Sequence, residues 1–180
     1  GPNGGGKTSL LRTILRLQSP TKGRISFFRQ GEPVSSLDMG YLPQKNSIDS
    51  RFPITVEEVV ASGLMGNTQK ENTKFDSKKE IDEMLDLMGI TALRNKPIGV
   101  LSGGQLQRSL FGRALISKPE MLILDEPASY IDRQFGNRMF EILRDLSSNG
   151  TTIMMVSHEI EPFITLSNRN LYINHILGDR

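Results

Sequence analysis

The chain has 180 residues, 37% of them hydrophobic and 23% charged, with a net charge of +2 and no cysteine. That length is enough for one domain with a real core, perhaps with a smaller lobe attached, and the balance is that of an ordinary globular protein. It excludes a disulfide framework and a thiolate metal site, lacks the basic excess of a nucleic-acid binder, and holds no run near the ~20 apolar residues of a membrane-spanning helix.

The chain opens on Gly1-Pro2-Asn3-Gly4 with neither an initiator methionine nor a signal peptide, and reads as a fragment or trimmed chain. Thr8 to Leu17 reads as a helix on the spacing of Leu10, Leu11, Ile14, Leu15 and Leu17. Pro20 and Gly23 punctuate it, Arg24 to Phe28 follows as a short strand, and Met39 to Leu42 as another that Pro43 ends. From Pro53 to Pro119 the pattern is mostly helical, with helices over Thr55 to Ser62, Lys78 to Met88 and Ser102 to Ser117. The polar stretch Gly66 to Ser77 between the first two reads as an exposed loop. Strand signals return at Met121 to Leu124, Thr152 to Val156 and Asn170 to Ile173, with a helix from Arg133 to Leu146. Strand, helix and strand at this spacing predict an α/β fold with a parallel sheet and helical crossovers. Residues 1–52 and 119–180 would form its core, and residues 53–118 an inserted helical subdomain.

Gly1 to Thr8 fits the phosphate-loop pattern G-x-x-x-x-G-K-[ST] completely. Glycines let such a loop curl until successive N–H groups face phosphate oxygens, and the helix that follows adds its positive end. Gly1, Pro2, Asn3, Gly4, Gly5, Gly6, Lys7, Thr8 and Ser9 are therefore candidate nucleotide-binding residues, with Lys7 reaching the β- and γ-phosphates and Thr8 ligating Mg²⁺. The loop normally follows a strand, which here would precede Gly1. Met121 to Glu126 is an apolar strand ending in two acids, which places carboxylates where ligands bind in open α/β sheets. Asp125 is the candidate for the Mg²⁺ shell and Glu126 for polarising the attacking water. Ser102, Gly103, Gly104 and Gln105 precede a helix and form a candidate second anion site, although any capped helix start would look the same. One chain cannot readily apply both sites to one nucleotide, whereas two chains arranged head to tail can.

Together, Gly-Pro-Asn-Gly-Gly-Gly-Lys-Thr, Leu-Ser-Gly-Gly-Gln-Leu-Gln-Arg and Ile-Leu-Asp-Glu-Pro resemble the ABC ATPase family in order and spacing over nearly the whole chain. The resemblance implies a P-loop NTPase fold whose first strand is missing here, an ATP and Mg²⁺ requirement, and ATP hydrolysis. It also carries over further residues. Gln44 matches the glutamine that contacts Mg²⁺ and water and senses the membrane partner. Asp132 matches the aspartate that links the two sites of a dimer, although Tyr130 and Ile131 stand where the family commonly has alanine and leucine. His158 matches the histidine on the γ-phosphate, followed by Glu159 instead of the usual aspartate. Gln44, Glu126 and His158 are thus the expected catalytic residues, and Thr8, Gln44 and Asp125 the expected Mg²⁺ ligands. The aromatic residue that stacks on adenine would lie upstream of Gly1.

The stretch from Thr8 to Leu101 leaves no room for the long coiled coil of chromosome-structure members. The linker features of tandem translation-associated members are not seen. Gly40 to Gln44 and Phe52 to Val60 are similar to the ATPases of zinc and manganese importers. Siderophore or cobalamin importers are the alternative, and a nucleotide-binding but inactive fragment is another. The resemblance implies a homodimer of cassettes on ATP binding, permease subunits, an extracytoplasmic substrate-binding protein as indirect partner, and a peripheral place on the cytoplasmic face of the membrane.

Overall fold

The computed structural model describes residues 5–44, 52–65, 74–157, 167–174 and 176–179, which fall into two compact units, 1–37 with 156–180 and 38–155.

In the first unit, helix α1 (Lys7–Ile14) starts from Gly6, whose left-handed φ of 95° a glycine adopts freely. It was expected to run to Leu17. It stops three residues earlier because Arg16 turns left-handed, with φ 58°, and the Arg16 and Leu17 amides close back on the Thr13 and Arg12 carbonyls at 3.1 and 2.9 Å. The Arg16 guanidinium lies 5.2 Å from the Phe27 ring centre and donates to the Ser35 carbonyl. The strand expected over Arg24 to Phe28 forms as β1 (Phe27–Arg29), paired antiparallel with β2 (Glu32–Val34). Gln30 and Gly31 join the two strands, both with positive φ (53° and 86°), the conformation of the two-residue turn that matches strand twist. Arg29 faces Glu32 beside the turn, so Pro33 opposite Phe28 occupies a pair that makes no ladder hydrogen bond, and its missing N–H costs nothing there. A second hairpin pairs β6 (Leu171–Asn174) with β7 (Ile176–Asp179), so the strand expected over Asn170 to Ile173 has an antiparallel partner.

The second unit holds a three-stranded sheet in the order β3 (Met39–Leu42), β4 (Met121–Asp125), β5 (Thr152–Val156), the last strand ending at the unit boundary. Strands β3 and β4 are parallel, with Met39 opposite Met121 and Leu42 opposite Leu124, and the helical residues between them make the crossover that parallel pairing requires. Leu122, Ile123 and Leu124 are fully buried, which explains their unbroken apolar run.

Helix α2 (Val56–Ala61) begins with a capping box. The Glu58 amide donates to Thr55 Oγ1 at 3.3 Å, and the Thr55 amide donates to Glu58 Oε2 at 2.8 Å. That second bond, first among its causes, lowers the Glu58 pKa. Helix α3 (Lys74–Leu87) begins inside the stretch expected to be loop, because before Ile81 its single apolar residue, Phe75, makes no periodic signal. Helix α4 (Gly103–Leu115) is the spine of the unit, burying Leu106, Leu110, Phe111, Ala114 and Leu115. Helix α5 (Arg133–Ser148) buries Phe135, Met139 and Leu143, one face at four-residue spacing, and its Phe135 meets Phe111 edge to face at 6.5 Å. No described helix is long and apolar enough to cross a membrane.

Glycines set how close α4 comes. A Cβ on Gly40 would lie 2.0 Å from the Ala114 carbonyl oxygen, and one on Gly63 2.1 Å from that of Arg113, so side chains are excluded at both. The Arg113 guanidinium donates to the Tyr41 carbonyl at 3.3 Å, and desolvation lowers its pKa.

Candidate functional site

Of the phosphate loop, Gly1, Pro2, Asn3 and Gly4 lie outside the described residues, as does His158. Gly5 is buried, Gly6 begins α1, Lys7 is half-buried, and Thr8 and Ser9 are exposed. Among the described residues, no side chain caps α1. The amides of a helix's first turn have no intrahelical acceptor, and they carry the positive end of the helix dipole. A helix start of this kind is where anions commonly bind.

In the second unit, Gln44 and Glu126 leave the same edge of the sheet. Leu42 and Leu124 are paired, so Gln44 and Glu126 each stand two residues beyond that pair, past the carboxyl ends of parallel strands. Asp125 is 3% exposed, while Glu126 is half-buried and Gln44 exposed. Gln44 and Asp125 offer oxygen donors at this edge, an amide and one carboxylate, and Thr8 of the first unit carries a hydroxyl. Each is a donor of the kind that suits Mg²⁺, which is commonly held by one or two carboxylates together with substrate phosphates.

The segment after β4 is conformationally costly. Glu126 (φ 53°) and Tyr130 (φ 68°) are both left-handed, at about 1–2 kcal/mol each for residues with a Cβ. The Ser129 amide turns back to the Glu126 carbonyl at 3.2 Å. At the end of the segment the Asp132 carboxylate caps α5, accepting from the Phe135 amide at 2.9 Å, and also pairs with Arg108 of α4. The Phe135 amide first, then the Arg108 guanidinium, hold the Asp132 carboxyl below its ordinary pKa. Arg108 also lies over the Phe135 ring at 4.4 Å.

Ser102 caps α4 with a second capping box. Its hydroxyl accepts from the Gln105 amide at 3.2 Å, and its own amide donates to Gln105 Oε1 at 3.0 Å. The amides of Gly103 and Gly104 remain as first-turn donors without intrahelical acceptors. This helix start forms one wall of a cleft of about 560 Å³, lined by Ser102, Gly103, Gly104, Gln105, Arg108, Tyr130 and Asp132, and by Gly89, Ile90 and Leu93 beyond them. The cleft therefore gathers the residues of the candidate second anion site and Asp132, predicted from separate motifs, on one surface. A side chain at Gly104 would come within 2.8 Å of the Tyr130 carbonyl oxygen, so glycine is needed there as well as in the turn.

Sequence reasoning gave no role to Gln107 or Arg108, although both stand in the quoted Leu-Ser-Gly-Gly-Gln-Leu-Gln-Arg run. The available signal was a buried-face polar residue: Gln107 lies one residue from Leu106 and three from Leu110, and is only 2% exposed.

The family model for ABC transporters matches residues 1–129. A Chlamydia pneumoniae protein named as the ATP-binding protein of a metal transport system is 40% identical over 182 residues, covering 98% of this chain and 73% of that protein. The zinc uptake system ATP-binding protein ZurA of Listeria monocytogenes is 38% identical over 185 residues, covering 99% of this chain and 69% of its own. Among solved structures, an ABC transporter of metal-chelate type in an inward-facing conformation is similar at 26% identity and TM-score 0.75, covering 99% of this chain and 70% of that one. A dimeric ATP-binding cassette bound to ADP and Pi shares the fold at 23% identity and TM-score 0.81, covering 99% of this chain and 82% of that one.

Proposed function

Because this chain belongs to the ABC transporter family and is one of its ATP-hydrolysing cassettes, we propose that it powers a membrane importer for a metal ion such as zinc or manganese. The names of the zinc and metal transport relatives support that cargo. The observation that carries the mechanism is the cleft at the start of α4, where glycine amides, Ser102 and Asp132 share one surface. Such a surface is half of a nucleotide site. A second copy of the chain, turned head to tail, supplies the other half through its Lys7 loop.

In this reading Gly1 to Ser9 cradle the phosphates, and the Lys7 ammonium neutralises charge on the β- and γ-phosphates. Thr8, Gln44 and Asp125 hold Mg²⁺, which supplies charge stabilisation to the transferring phosphoryl group. Glu126 orients and polarises the water, and His158 contacts the γ-phosphate. Asp132 links the two sites across the dimer. Residues 53–118 act as the helical subdomain and residues 1–52 with 119–180 as the nucleotide-binding core. Permease subunits dock near Gln44 and the segment after Phe52, so that closure of the dimer pulls on them, and an extracytoplasmic binding protein delivers the cargo.

The solution mass of Glu126→Gln with and without Mg-ATP tests this reading. A shift from monomer to dimer on adding ATP, absent in Lys7→Ala, is the expected result. Parental turnover in Glu126→Gln would show that another group polarises the water. The likeness to a metal-chelate type transporter favours a second reading of the cargo, a chelate such as a siderophore or cobalamin. Uptake of free zinc against a chelated metal by the assembled transporter separates the two.

A further inference from the structure

Helix α4 touches the segment Glu126–Asp132 of its own chain at three places. Gly104 packs beneath the Tyr130 carbonyl, Arg108 pairs with the Asp132 carboxylate, and the Gln107 amide Nε2 donates to the Pro127 carbonyl oxygen at 3.3 Å. The third contact is the informative one. Gln107 is 2% exposed and is flanked on α4 by the buried Leu106, Leu110 and Phe111. Its Oε1 is buried and accepts from no donor among the described residues. A half-satisfied amide is a poor choice for stability, since its unpaired Oε1 carries a desolvation cost that an apolar side chain of similar shape would not. What the amide adds is one bond, and that bond fixes the Pro127–Ala128 peptide, one residue past Glu126.

We propose that Gln107 is a positioning residue for hydrolysis, holding the Glu126 carboxylate in place through the Pro127 carbonyl. This rests on Glu126 being the group that polarises the water. The segment needs such a hold because both Glu126 and Tyr130 sit in the left-handed region, and strained backbone persists only when its surroundings over-determine it. Because α4 also carries Ser102 and Gly103 into the cleft, the brace ties the acid of one nucleotide site to the half-site that this chain offers to the other. A shift of α4 when a nucleotide seats in the cleft is thereby felt at Glu126.

The test is Gln107→Met, which keeps the shape and removes the donor, measured beside the parent and Glu126→Gln. Turnover is expected to fall about tenfold, equivalent to ~1.4 kcal/mol of barrier, with KM for Mg-ATP changed less than twofold. The melting temperature should change little, because relief of the unpaired Oε1 offsets the loss of the donor to the Pro127 carbonyl. Amide hydrogen exchange over residues 126–132 should accelerate, a readout that does not depend on turnover. Parental exchange over that segment, or parental turnover in Gln107→Met while Glu126→Gln is inactive, overturns the positioning role and leaves Glu126 untouched. Parental turnover in Glu126→Gln overturns the assignment of Glu126 instead. Gln107→Leu repeats the test with a branched side chain. If both apolar variants unfold, the amide is needed for the fold and the proposal is lost.

Discussion

Gly40→Ala is the sharpest probe of how the cassette is assembled, because the cost can be read from three distances. The new Cβ would lie 2.0 Å from the Ala114 carbonyl oxygen, 3.0 Å from Pro119 Cγ and 3.1 Å from the Ala114 carbonyl carbon. The first two belong to α4 and to the turn after it, and the nearest is backbone, so no rotamer change relieves the clash. Non-bonded carbons rest roughly 3.5–4 Å apart, so α4 and β3 must separate locally by more than about 1 Å. Overpacking a close-packed interior typically costs 1–3 kcal/mol, and a backbone clash belongs near the upper end, at about 3 kcal/mol. In a chain of this size each kcal/mol lowers the melting temperature by about 2–4 °C, so a fall of roughly 6–12 °C is expected. Far-UV circular dichroism and calorimetry should be followed together, since two compact units need not melt as one. ATPase turnover should fall as well, because Gln44 lies four residues along from Gly40 and Arg113 holds the Tyr41 carbonyl between them. A variant melting within about 1 °C of the parent would show that α4 is not packed on β3 in this way.

Gly136→Ala is the matched control. Its Cβ meets only Ile131 Cδ1 at 4.0 Å on helix α5, so stability should rise by about 0.5–1 kcal/mol through helix propensity, read by the same melts. Ser102→Ala removes the hydroxyl that caps α4 and should cost about 1 kcal/mol in denaturant unfolding, with a further loss of ATP-dependent dimer in the Glu126→Gln background. Asp132→Asn keeps a good helix cap but loses the pairing with Arg108. Since the folded-state pKa of Asp132 is depressed, its stabilisation is fully present above the ordinary carboxyl value of about 3.9 and is lost as pH falls through the folded value. The melting difference between parent and Asp132→Asn should therefore be largest near neutrality, shrink below about pH 4, and diminish with added salt. A difference that grew on acidification would contradict the pairing.

Much of the fold follows from short-range pattern. The apolar run Met121 to Leu124 marks a strand buried on both faces, and its parallel pairing with β3 accounts for the lack of alternation. The Thr55 and Ser102 capping boxes are visible as a hydroxyl residue followed three positions later by Glu58 or Gln105. The start of α3 was not legible, because its first turns present no apolar stripe, and neither was the end of α1, where Arg16 takes a left-handed conformation that no residue type there announces. Strand β2 lay hidden behind Pro33, which is tolerated only because the hairpin register puts it at a pair without ladder hydrogen bonds.

The sequence by itself determined the family and the candidate residues, since a phosphate loop, a signature run and an acid-ended strand are each contiguous and their chemistry depends on neighbours along the chain. Tertiary structure decided which of those motifs share a surface and what holds them. Ser102 and Asp132 meet at one cleft, Gln107 reaches a carbonyl twenty positions away, and Gly40 and Gly63 are glycines because α4 comes within contact of their backbones. Such pairings depend on the packing distance and rotation of one helix against a sheet, which are set by the close packing of the whole unit rather than by any local run of residues.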